Sequence, residues 1–168
     1  GTVIGVGKIG DIFAHIGMSE EVRASGHPAL WKETLAAMDR TPTQEDVRSI
    51  IMTNFVDFDA VYGHRRDPVG YGKALEEFDR QLPRLFEKMR PNDLLIVTAD
   101  HGNDPTWPGT DHTREHVPIL LYQKKMLPSD LGFRGTFADI AQTIANTFKL
   151  SPFEHGTSLF TDTRLLKK

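Results

Sequence analysis

The sequence contains no cysteine, which excludes disulfide bridges and thiolate metal ligands. That absence also fits a cytoplasmic location. No apolar run approaches the roughly 20 residues that a membrane-spanning helix requires, so no membrane partner is expected. The N-terminus carries no signal-peptide pattern. A strong charge of one sign is lacking as well. The formal net charge of −3 gives no electrostatic reason to expect nucleic acid or an anionic membrane as partner. Internal repeats, low-complexity tracts and long linkers are also missing. What remains is 168 residues with 39% apolar and 26% charged side chains, the balance of one soluble domain with a real hydrophobic core. The chain opens on Gly1-Thr2-Val3-Ile4-Gly5-Val6-Gly7 rather than Met. That start reads like a strand entering midway, so a fragment, a processed product or an engineered piece is expected.

The periodicities alternate between strand and helix. Thr2 to Val6 is a short β-prone run. Pro28 to Asp39 reads as a helix with Leu30, Thr34, Leu35 and Met38 near one face, ended by Thr41-Pro42. Thr43 to Arg48 is polar and predicts the start of another helix. Ser49 to Phe58 is nearly continuously apolar, as suits a strand covered on both faces. Asp67 and Pro68 then cap and open a helix to Met89, with a kink or break expected at Pro83. Asp93 to Ala99 and Val117 to Tyr122 read as strands, and Thr136 to Phe148 as a helix with Thr136 as its cap. The tail after Phe160 reads as polar and frayed. This order predicts an α/β domain with a mostly parallel sheet and flanking helices.

Three clusters hold most of the chemistry-bearing side chains. They are Asp57 to Asp67, Thr98 to Asp104 and Asp111 to Pro118. The first two directly follow predicted strands, and ligands of open α/β sheets bind beyond the carboxyl ends of strands. Mixed carboxylate and imidazole donors suit Mn²⁺, Zn²⁺ or Fe²⁺ better than Ca²⁺. Two such metals roughly 4 Å apart can clamp the attacking and leaving oxygens of a phosphoryl transfer. Singly, each cluster has a plain alternative: Asp59-x4-His64 and His112 as solvated loop residues, and Asp100-His101-Gly102 as a coincidental motif. Their joint placement near sheet edges makes the stronger argument.

The clusters closely resemble those of the phosphopentomutases of the alkaline phosphatase superfamily. The resemblance lies in Asn54-Phe55-Val56-Asp57-Phe58-Asp59 with Tyr62-Gly63-His64-Arg65-Arg66-Asp67, in Thr98 to Asp104, and in Asp111 to Pro118. The opening Gly5-Val6-Gly7-Lys8-Ile9 is similar too, and the likeness covers essentially the whole chain. The wider superfamily shares only the Asp-His-Gly element and scattered ligands. The resemblance implies an alkaline-phosphatase-like core in residues 1–168, corresponding to the C-terminal part of the family's chain. It implies that Asp59, His64 and His112 are ligands of one manganese, and that Asp100 and His101 are ligands of a second. Lys8 is implied to contact a pentose phosphate substrate. Asp57, two residues from Asp59 on a regular strand, is expected to point the other way. Arg65, Arg66 and Arg114 suit either carboxylates or a phosphate, with at least one expected in a structural salt bridge. Asp111 and His116 are candidates for orienting the ligands, and His116 reads equally as a satisfied buried histidine. His15, His27 and His155 are expected not to be ligands.

The family's nucleophilic Thr, an early Asp ligand and the sugar-recognising cap domain have no counterpart in these residues. The implied reaction interconverts (deoxy)ribose 1-phosphate and 5-phosphate, and the isolated chain is expected to be inactive. Two alternatives stand beside this reading. One is another enzyme of the superfamily, such as a phosphoglycerate mutase or phosphatase; the other is a non-catalytic metal-binding domain. Oligomeric state is not legible in the residues.

Overall fold

The computed structural model describes residues 1–44 and 47–161. Two compact units are present: residues 1–89 with 96–120, and residues 90–95 with 121–168.

In the first unit, Thr2–Val6 forms β1, Ile9–Ile12 the short helix α1, and Glu20–Val22 β2. His27–Arg40 follows as α2, Ser49–Thr53 as β3, and Pro68–Lys88 as α3. A π-helical turn, Phe58–Gly63, joins β3 to the α3 segment. The sheet order is β2-β1-β3, and both pairings are parallel, with Ile4 opposite Glu20 and Ile51. β1 is therefore the centre of the sheet, which explains its burial from Ile4 to Val6. Leu95–Thr98 (β4) and Ile119–Tyr122 (β5) pair with each other rather than extending that sheet among the described residues.

The core is built where α2 crosses the central strand. Ile4, Val6, Leu30 and Ala37 are fully buried, with Val22, Ala24, Ile51 and Phe55 packed around them. α2 is also tied to β3 through a hydrogen bond of 2.8 Å between the Thr34 and Thr53 hydroxyls. Trp31, Phe55 and Phe78 stack a further aromatic layer, with centroids 4.8–5.0 Å apart. Leu30 is 1% exposed, so Leu30→Ala leaves a cavity in rigid surroundings. It is expected to cost about 2–5 kcal/mol in a denaturant titration; a loss below about 1 kcal/mol would show that this core is not close-packed.

Several boundaries differ from the sequence reading. The apolar run from Ser49 is a strand only to Thr53, because Val56 onward winds into the π turn: the N–H groups of Asp59 and Ala60 donate to the Val56 carbonyl. α3 passes through Pro83 without a break. A proline removes one backbone donor, and anchoring of the apolar face on both sides of it, by Phe78 and Leu85, keeps the helix continuous. α1 and β2 are too short and polar to show a period. The helix expected over Thr43–Arg48 spans residues 45–46, which lie outside the described residues, and its flanks carry no helix. Residues 162–168, on which the frayed tail was expected, also lie outside them.

In the second unit, Ala138–Thr147 forms α4, followed by a 3₁₀ turn at Leu159–Thr161. The helix begins two residues later than expected, with Phe137 rather than Thr136 at its N-cap; the Thr136 hydroxyl accepts from the Ala138 N–H at 3.2 Å from one position further out. Buried Asp139 accepts from Arg134 Nε and from the Thr157 N–H, both at 2.8 Å, so its charge is compensated. Among the described residues, no helix is long and apolar enough to cross a membrane.

Candidate metal centre

The first-unit loops bring three carboxylate and imidazole groups to one point. In the π turn, the His64 N–H donates to the Asp59 carbonyl five residues back, at 2.9 Å. That wide turn puts positions 59 and 64 on the same side, which neither an α-helix nor a strand would do. Asp59 Oδ1 lies 3.4 Å from His64 Nε2 and 3.2 Å from His112 Nε2. Among the described residues, Asp59, His64 and His112 are the one set of three or more such groups able to share a metal ion.

The tautomer of His64 follows from its other nitrogen. Nδ1 contacts the Thr110 carbonyl, which can only accept, so Nδ1 carries the proton and Nε2 keeps its lone pair in the neutral ring. A carboxylate oxygen and two imidazole nitrogens converging in this way fit a divalent transition metal. The three groups are partly exposed, which leaves room for water or a ligand oxygen.

Asp100 and His101 follow β4, with His101 Nε2 3.6 Å from Asp100 Oδ1. His101 adjoins the trio through ring stacking: the His101 and His112 centroids are 3.8 Å apart and nearly parallel at 29°. Asp100 stays outside the trio, with 70% of its side chain exposed. Lys8 sits at the carboxyl end of the central strand, exposed, and its side chain makes no ion pair or hydrogen bond among the described residues.

Asp57 does diverge from Asp59, but for a different reason from the one expected. Both residues lie in helical backbone, where a two-residue step turns the side chain by roughly 200°. Asp57 Oδ2 instead accepts from the His27 N–H at 3.2 Å, capping α2 behind Gly26, which has no side chain to do so. The orienting contact for His64 comes from the Thr110 carbonyl. Asp111 enters through its own main-chain carbonyl, and His116 is exposed rather than buried.

A family model described as the metalloenzyme superfamily matches residues 15–152. This chain belongs to the metalloenzyme superfamily. Members named phosphopentomutase are similar to it. That of Chromohalobacter salexigens is 57% identical over 161 residues, covering 94% of this chain and 38% of the relative. Those of Photorhabdus laumondii and Vibrio cholerae are 53% identical over 159 residues and 54% over 156 residues. They are covered to 38% and 37% of their length, and this chain to 95% and 93%. The chain thus spans under two fifths of the relatives it matches.

Within this metalloenzyme-superfamily chain, sequence reasoning overlooked the groups that hold the loops. Asn103 Nδ2 donates to Asp59 Oδ1 at 2.6 Å. Gly102 and Thr113 form an isolated antiparallel bridge, and the Thr113 hydroxyl accepts from the Asp104 N–H while donating to Glu115. Thr106 holds the Asp104 carboxyl below its ordinary range by a side-chain and a backbone hydrogen bond. Spacing to the nearest ligand was the only available signal for any of these.

His27 supports the π turn from behind, 4.6 Å from the Phe58 ring and 6.4 Å from Tyr62. Burial lowers its pKa from 6.5, against the opposing pulls of Asp57 and the Phe55 backbone. In the unfolded chain it takes up a proton near its ordinary value, while the folded form resists. Stability should therefore fall as pH drops through the ordinary histidine value of 6.5 toward the lowered folded one. His27→Leu should flatten part of that slope in denaturant titrations across the range. An unchanged slope would remove His27 as its source.

Proposed function

We propose that this chain is the ligand-bearing part of a phosphopentomutase, interconverting (deoxy)ribose 1-phosphate and (deoxy)ribose 5-phosphate by phosphoryl transfer in the cytoplasm. The observation that carries the reading is the convergence of Asp59 Oδ1 with two imidazole Nε2 atoms at 3.4 and 3.2 Å, in a chain similar to proteins of that name. Asp59, His64 and His112 would hold one manganese. Asp100 and His101 would contribute to a second, completed by a residue outside residues 1–168. Bound there, the metals supply positive charge to neutralise a transferring phosphoryl group. The chain's own residues do the positioning: Thr110 fixes the His64 tautomer, and the His101–His112 stack keeps the two ligand groups side by side. Lys8, exposed at the carboxyl end of the central strand, is suited to meet a sugar phosphate. The phosphoryl-accepting Thr lies outside these residues on this reading, so the isolated chain binds metal but does not turn over.

Mn²⁺ titration of the chain by calorimetry, beside His64→Ala and His101→Ala, tests this. The expected result is about one equivalent bound, lost with His64→Ala and largely kept with His101→Ala, because catalytic sites need about three protein ligands and only the first set has them. Binding that survives His64→Ala would overturn the ligand assignment.

A further inference from the structure

Arg66 lies two residues after the proposed ligand His64 and is only partly exposed. Its backbone is left-handed, at φ 53°, an unusual conformation for a residue with a Cβ. In return, every nitrogen of its guanidinium finds an acceptor in the surrounding loops. Nε donates to the Gly109 carbonyl. Nη1 donates to the carbonyls of Gly63 at 3.2 Å and Asp104 at 2.7 Å, and to Asn103 Oδ1 at 2.9 Å. Nη2 donates to the Asp111 carbonyl at 2.6 Å. None of these acceptors is a carboxylate: they are four main-chain carbonyls and one side-chain amide oxygen, so the fork ties loop to loop rather than forming a salt bridge.

The bond to Asn103 decides what the rest accomplishes. With its Oδ1 held by Arg66, Asn103 must present Nδ2 on the other side, where it donates to Asp59 Oδ1 at 2.6 Å. That is the oxygen facing both His64 and His112. Gly63 makes the approach possible: a Cβ there would lie 2.5 Å from Asn103 Nδ2. The bonds to Gly109 and Asp111 hold the segment that ends in His112.

We infer that Arg66 is a positioning residue: through Asn103 it sets the Asp59 carboxylate, and through the Gly109 and Asp111 carbonyls it holds the loop that presents His112. The inference rests on the proposed metal reading for its consequence but not for its geometry. Arg66→Lys keeps the charge and loses the planar fork, and a point ammonium cannot reach acceptors on so many sides. It should weaken Mn²⁺ binding by roughly 10–100-fold, the usual cost of losing a group that orients a ligand. Asn103→Ala should weaken it comparably. The double variant should be little worse than Arg66→Lys alone, because Asn103 acts on Asp59 through the same contact that Arg66→Lys already loses.

The experiment is calorimetric Mn²⁺ titration of the chain, Arg66→Lys, Asn103→Ala and the double variant, paired with amide hydrogen exchange of the metal-free proteins. The exchange arm reads the amides of Asp104 and Thr113, both bonded within the loops. Supporting results are the overlapping affinity losses, together with faster exchange at those amides in Arg66→Lys and unchanged exchange in β1. Mn²⁺ affinity within threefold of the unmodified chain in Arg66→Lys would overturn the inference and leave the metal reading standing. If the unmodified chain binds no Mn²⁺, the metal reading fails, and the exchange arm still decides whether Arg66 holds the loops. Unchanged exchange there overturns the inference on its own.

Discussion

Asp59→Ala should reduce Mn²⁺ affinity by at least about 100-fold, since losing a group that merely orients a ligand already costs roughly 10–100-fold. Asp59 is the one carboxylate of the trio and lies within 3.4 Å of both imidazole nitrogens. Without it, His64 and His112 become two neutral donors facing a hole, with too few ligands and no charge to offset a dication. The folded protein should tolerate the change, because Asp59 is partly exposed and sits in a turn anchored by Phe58 and His27 behind it. Calorimetry gives the affinity and a denaturant titration the stability. Affinity within threefold of the unmodified chain would mean that the metal binds elsewhere. Asp100→Ala is the comparison: its exposed carboxylate lies outside the trio, so binding at the first site should persist.

Gly102→Ala should damage the site without touching a ligand. A Cβ at this position would lie 2.7 Å from the Thr113 carbonyl oxygen and collide with the Glu115 carboxylate. The carboxylate can swing away, but the Thr113 carbonyl is backbone and is held by the bridge in which the Thr113 N–H donates to Gly102 at 3.0 Å. The strands of that bridge must part, and they carry His101 and His112 immediately beside it. The expected outcome is a loss of about 1–3 kcal/mol in stability, as for overpacking elsewhere, with a fall in Mn²⁺ affinity of roughly 10-fold or more. Gly72→Ala provides the contrast. Nothing lies within 4 Å of a Cβ there, and an exposed helical glycine gains up to about 1 kcal/mol on becoming alanine. If Gly102→Ala matches Gly72→Ala in both assays, the bridge does not constrain the site.

The parts of this molecule legible from sequence were those with a period or a motif. Apolar stripes placed α2, α3 and α4 to within a residue or two, and apolar runs placed β1, β3 and β4. The clusters around Asp59, Asp100 and His112 were also visible, because Asp, His and Gly recur there at spacings that chemistry restricts. Three of the five expected ligands, Asp59, His64 and His112, gather around one point; His101 stacks on His112, and Asp100 stays outside. The hidden features have no local signature. The π turn depends on an i to i+5 bond that looks like ordinary apolar sequence from Val56 to Tyr62. Arg66 reads as a partner for a carboxylate or a phosphate until its actual acceptors, carbonyls and an amide up to 45 residues away, are brought to it. Asn103 likewise became meaningful only through Asp59, 44 residues earlier.

That distance along the chain has a consequence for folding. Asp59 and His112 bracket a loop of about 50 residues containing α3 and β4, whose closure costs entropy that grows with the logarithm of its length. On the proposed reading, a metal ion held by both ends would act as a reversible crosslink across that loop. It can bind the native arrangement but finds no matching set of donors in the open chain, so it draws the equilibrium toward the folded state by about 2.7 kcal/mol at a hundredfold excess over its Kd. A chelator would therefore do more than empty the site. It would shift the unfolding midpoint, and by an amount that tracks free metal concentration.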